Sequence, residues 1–253
     1  SLMEIDIRVR CAIDLAKLGE SEEALMHAAQ AVTLADRLSV SEYQASTHAN
    51  YALVLHETGK QSQGLTEIRL AQRYLSAIGL HHSSMMARYK LLESVLLAPL
   101  NEADAAIATA QQACEILAVV DGAAAVDTLN CWNALAANLA SAGKFAQALL
   151  RLDALRDIKV ANPNDILIIN LNALRGHTLL GLGRYKEAIA AFEQAETGFQ
   201  ANQNYARLQG LCEWGLAQAW AHIDMQQAKR WAQAAVATWS TTERDEQVVA
   251  AEK

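Results

Sequence analysis

Apolar residues along this chain recur at three-and-four spacing, interrupted only by short polar turns, and this pattern predicts helices joined in pairs. The first pair covers 3–18 and 21–38, the second 41–58 and 61–78, and the third 83–98 and 102–119. The fourth covers 123–142 and 145–160, the fifth 165–182 and 185–202, and the sixth 204–221 and 224–239. Three turns repeat almost literally: GESEEAL at Gly19–Leu25, GKFAQAL at Gly143–Leu149 and GRYKEAI at Gly183–Ile189. Aligning on the small residue after each turn gives Ala24, Gly64, Ala106, Ala148, Ala188 and Ala228, at intervals of 40 to 42 residues. Twelve residues earlier stand Ala12, Ala52, Ser94, Ala136 and Gly176, with Ala217 one residue closer in the sixth copy. Small side chains on both helices of a pair let the axes approach. A fixed period of this length means stacked hairpins rather than one globular core.

The turns carry their own chemistry. Gly19, Gly59, Gly143 and Gly183 are placed to end first helices in the left-handed conformation, and Pro99 with Asn101 replaces that glycine in the third copy. Asp165, after Asn162-Pro163-Asn164, reads as an N-cap. Thr242 with Asp245 resembles a capping box, so 242–253 is expected to form a separate capping or linker helix after an array spanning 3–241. That tail reads equally as the lid of the sixth hairpin and as the start of further chain.

The fourth copy keeps Trp132, Leu135, Ala136, Phe145, Ala148 and Leu152, and the fifth keeps Gly176, Tyr185, Ala188, Phe192 and Ala195. On these residues the chain resembles the tetratricopeptide repeat family, over nearly its whole length but weakly in the third copy. The common repeat is about 34 residues; the longer spacing here is similar to that of kinesin light chains and bacterial regulators. The resemblance implies an all-α, right-handed superhelix whose first helices line a concave groove for a peptide or a partner helix. The family's carboxylate clamp is not matched, because Val9, Ala49 and Leu91 stand where its polar residues would.

On that register Asn130 and Asn170 are equivalent, Asn133 lies one turn away, Asn50 falls near the row, and Arg88 and His177 fall on or beside the same face. A carboxamide both donates and accepts, so such a row suits the backbone of an extended peptide whatever its sequence. The row equally suits a solvated helix face. Four tryptophans, Trp214, Trp220, Trp231 and Trp239, crowd the last hairpin. Most are expected in the core, with Trp239 the most exposed. Trp231 and Trp239 are therefore expected to mark a surface for weak self-association or for docking a following domain.

Composition removes several function classes. A net charge of −7 disfavours nucleic acid as a partner. No run of about 18 uninterrupted apolar residues marks a membrane span. Cys11, Cys114, Cys131 and Cys212 are isolated in apolar helical runs without a CxxC pair, so reduced buried thiols and a cytoplasmic location are expected, with no metal. Gly59-Lys60 and Gly143-Lys144 lack the rest of a phosphate loop, His56-Glu57 lacks a second histidine, and no serine sits in GxSxG. His81-His82 reads as a solvated loop.

These observations predict a non-catalytic scaffold that needs no cofactor and holds a peptide or helix. The alternative is a sensory or regulatory segment of a larger bacterial signalling protein, such as a cyclase, a kinase or a transcription activator.

Overall fold

A computed structural model describes residues 1–156, 166–200 and 205–251, and every structural statement below concerns those. The Asp165 cap and the Asn162-Pro163 turn lie outside them. The described residues are all-α, without strands. In order the helices are α1 (Leu2–Lys17), α2 (Ser21–Leu38), α3 (Ser41–Glu57), α4 (Gln61–Ala77), α5 (Ser84–Leu97) and α6 (Ala103–Val120). There follow α7 (Val126–Ser141), α8 (Phe145–Arg156), α9 (Ile166–Gly181), α10 (Tyr185–Gln200), α11 (Ala206–Trp220) and α12 (Met225–Ala251). The chain divides into two compact units, Ser1–Asn138 and Leu139–Lys253, and each is considered by itself.

In the first unit α1 packs on α2, α3 on α4 and α5 on α6, each pair also touching the next. In the second, α9 packs on α10, α10 on α11 and α11 on α12. The turns follow from single residues. Gly19, Gly59, Gly143 and Gly183 all take positive φ, 71 to 83°. Each lets the following N–H reach back to the carbonyl of the last helical turn, as Lys60 does to Leu55 at 2.7 Å and Arg184 to Leu179 at 2.9 Å. In the third copy a 3-10 turn, Ala98–Leu100, delivers Asn101 to φ 62°, the role expected of it. Ser39 also turns left-handed, φ 53°, which no feature of its sequence announces.

The aligned small residues are the crossing points. Ala12, Ala24, Ala52, Ser94, Ala106, Ala136, Ala148 and Ala188 are each at most 1% exposed. At Gly64 even a methyl group would stand 2.8 Å from Leu96 and 3.1 Å from the Ala52 carbonyl, which is why glycine replaces alanine there. Ala148→Leu and Ala188→Leu are each expected to destabilise by roughly 1–3 kcal/mol through overpacking. Unchanged denaturation midpoints in both would show the register to be wrong.

Two expectations are corrected. No new helix begins at Thr242: α12 runs unbroken from Met225 to Ala251. Nothing there stops a helix, since 225–251 holds no glycine or proline and the Ser240 hydroxyl bonds back to the Val236 carbonyl at 2.8 Å. The cysteines are not four separate buried thiols. Cys114 and Cys131 form a disulfide between α6 and α7 across 5.4 Å of Cα separation, and Cys11 is only half-buried. They meet because stacking sets their positions, eight residues after Ala106 and five before Ala136, face to face. By length and average composition α6 alone among the described helices could cross a membrane, yet, as expected, it is not an uninterrupted apolar run. It carries Asp104, Gln111, Gln112 and Glu115 and packs along α5.

Candidate functional site

The first helices of the hairpins touch one another, α1 with α3 and α3 with α5 in the first unit and α9 with α11 in the second. Residues six before each crossing residue share one side of these helices. In chain order they are Asp6, Ser46, Arg88, Asn130, Asn170 and Leu211.

In the first unit this side is polar. Arg88 donates from Nη2 to Asp127 Oδ2 at 2.6 Å, tying α5 to the first turn of α7, and both side chains are largely exposed. Its charge is therefore already paired. Asn130 is exposed one turn further along α7. Asn133 is half-buried, and its Oδ1 is buried without a hydrogen-bond partner. A buried carboxamide oxygen that lacks a donor is costly, so a side-chain turn that brings it to an outside N–H is favoured. Asn50 is half-buried and donates to the Ser46 carbonyl of its own helix at 2.8 Å.

In the second unit Asn170 is half-buried on α9. The neighbouring α11 presents Leu208, Leu211 and Trp214 at 37, 44 and 43% exposure, a stripe at three-residue spacing. His177 meets Phe192 edge-on, ring centroids 4.8 Å apart, and burial lowers its pKa, which holds the imidazole neutral. It is a neutral ring with one donor and one acceptor nitrogen rather than a charge.

Trp239 is half-buried. Its indole sits directly on Gly210, where no side chain intervenes, so the exposed tryptophan of this hairpin is Trp214 and not Trp239. A terminal position on a helix does not expose a residue when the helix continues beyond it. Trp231 is half-buried against the core formed by α9 to α11, with the Arg230 guanidinium 5.9 Å from its ring.

Between hairpins runs a second set of polar residues that the sequence reading passed over. His48, 3% exposed, bridges Glu67 Oε2 at 2.6 Å and Asp36 Oδ1 at 3.3 Å. Burial opposes its protonation, but the hydrogen bonds and charges of Glu67 and Asp36 outweigh burial, and its pKa is raised. Arg69 reaches Glu93 at 2.8 Å, and Arg175 reaches Asp153 at 3.0 Å. These two ion pairs occupy the same crossing of the repeat with the charges exchanged, five residues after one small residue and one before the next. Aligning charges on the repeat register would have revealed them.

No protein-family model matches the chain, and neither does any curated protein. Solved structures do. Repeats of a putative kinesin light chain from Podospora anserina superpose with a TM-score of 0.69 at 14% identity, over 79% of this chain and 97% of that one. The fold is tetratricopeptide-like. The apo quorum sensor NprR from B. thuringiensis matches with a TM-score of 0.70 at 13% identity, over 94% of this chain and 66% of its own. NprR in complex with its cognate peptide NprX matches at 0.62 and 12%, over 91% of this chain and 65% of its own. This chain therefore spans about two thirds of NprR.

Proposed function

We propose that this chain is a non-catalytic scaffold that binds an extended peptide or a partner helix along its first helices. The observation that carries the reading is the pair of carboxamides on one side of α7, Asn130 exposed and Asn133 half-buried with an unpartnered oxygen. The Asn130 carboxamide meets a peptide backbone directly, that of Asn133 does so once its side chain turns outward, and the adjacent Arg88–Asp127 pair offers polar groups at the edge. In the second unit Asn170 and His177 of α9, with Leu211 and Trp214 of α11, provide a carboxamide and a neutral imidazole beside apolar anchors. Asn50 is the least suited of the residues on this face, since its amide already serves its own helix. The likeness to a peptide-bound NprR supports the same ligand class.

The second reading is a regulatory segment of a larger bacterial signalling protein in the cytoplasm. It rests on the likeness to NprR, described as a quorum sensor, over 94% of this chain. Trp214 with Leu211 is more exposed than Trp231 or Trp239, so we propose that any self-association of this unit uses that pair and competes with a peptide there.

Peptides selected from a random display library by the purified chain test the first reading. Asn133→Ala and Asn170→Ala should each weaken the selected peptide by about 0.5–1.5 kcal/mol, with helicity unchanged. Undiminished binding to the double variant would remove these residues from the site.

A further inference from the structure

The second and third hairpins differ in the crevice between the early half of the first helix and the late half of the second. In the second hairpin that crevice is filled. His48 of α3 stacks on Tyr74 of α4 with ring centroids 5.6 Å apart, and Gln44 donates to the Tyr74 hydroxyl at 3.4 Å. Counted from the crossing residues, Lys90 takes the place of His48 in the third hairpin and Ile116 that of Tyr74. An isoleucine cannot span the gap that a tyrosine closes.

The connection differs too. Two residues, Ser39 and Val40, join α2 to α3, whereas 78–83 joins α4 to α5 and brings His81 and His82 to the mouth of the crevice. The result is a pocket of about 680 Å³ between α5, α6 and this connection, within the first unit. That size falls in the range of small-molecule sites, about 300–1,000 Å³.

Its wall is apolar and solvent-facing. Ile116, Val119 and Val120 line it, and Val119 is 85% exposed, the highest value among the exposed large hydrophobic residues. Its rim is rich in nitrogen donors. The Lys90 ammonium gives one hydrogen to Gln112 Oε1 at 2.9 Å and keeps two more. The imidazoles of His81 and His82 meet edge-on at 4.7 Å, and both residues are exposed. Glu115 is the one acid among the lining residues, and its carboxylate already accepts from Gln111 at 2.9 Å.

An apolar wall beneath a rim of one ammonium and two imidazoles complements a molecule with an apolar body and an anionic head. We propose that this pocket binds a small amphipathic carboxylate. The tail lies on Ile116, Val119 and Val120, and the carboxylate accepts from Lys90 and the two histidines. The proposal does not depend on peptide binding, because the pocket shares no residue with that face.

Titration calorimetry with decanoate below its micelle concentration, and with decanol as the uncharged control, tests it on the intact chain. Decanoate should bind saturably at one site and decanol about ten-fold more weakly, the loss of one charge-assisted contact. Val119→Asp and Lys90→Met should each weaken decanoate about ten-fold with circular dichroism unchanged, since neither side chain belongs to the fully buried core. Equal affinity for decanol, unchanged affinity in either variant, or no saturable binding would each overturn the proposal.

Discussion

Glu213→Gln is expected to stabilise the second unit at alkaline pH, while the wild-type chain loses stability as pH rises. Glu196 of α10 and Glu213 of α11 are each 4% exposed and share the Gln209 amide, at 2.9 and 3.3 Å. The Oε2 atom of each is buried without a partner. The groups facing the pair are the amides of Gln200 and Gln209, the Thr238 hydroxyl and the Cys212 thiol. Burial raises the pKa of both acids, the neighbouring Glu213 charge adds to the rise at Glu196, and the hydrogen bonds from Gln209 and Thr238 only partly offset it.

The sign follows from proton linkage. Above the ordinary carboxylate range the folded state holds more protons than the unfolded chain, so stability falls as pH rises through the raised values. Below that range the contribution is complete. A neutral glutamine removes one of the two charges, and the gain at about pH 9 should be roughly 1–3 kcal/mol. Tryptophan fluorescence during urea denaturation isolates the effect, because four of the five tryptophans lie in the second unit. The separation matters because His48 in the first unit, with its own raised pKa, loses stabilisation in the same direction. A flat pH profile for the tryptophan transition would show that water or another ligand reaches these carboxylates.

Thiol titration of unreduced, denatured protein should find two thiols, those of Cys11 and Cys212, instead of four. Cys114 and Cys131 are 17 residues apart, and closing a loop of that size restricts the unfolded chain by about 3 kcal/mol. Reduction should therefore lower the unfolding midpoint of the first unit while leaving the tryptophan-monitored transition of the second in place. Four thiols before reduction would restore the separate buried cysteines that the sequence alone suggested, and with them the argument for a reducing compartment.

How far the sequence reached depended on the range of the interaction involved. The hairpins, their turns and their crossing points are local, since a glycine at positive φ, an asparagine standing in for one and a small residue every 40 to 42 residues act through their own neighbours. The periodic signal repeats six times, so chance errors in one copy are corrected by the others. Asn130 and Asn170 could be placed on equivalent positions for the same reason.

What the sequence left open lies between helices from different repeats. Asp127 pairs with Arg88 across 39 residues, and Cys114 meets Cys131 only because α7 stacks on α6 at that height. Trp239 is covered because Gly210 leaves room for an indole, whereas Trp214 is exposed because no further helix among the described residues covers that stripe of α11. Periodicity assigns each residue a side of its helix. Which partner waits on that side is decided by side-chain volume and hydrogen-bond reach across the contact, and only the tertiary structure brings those together.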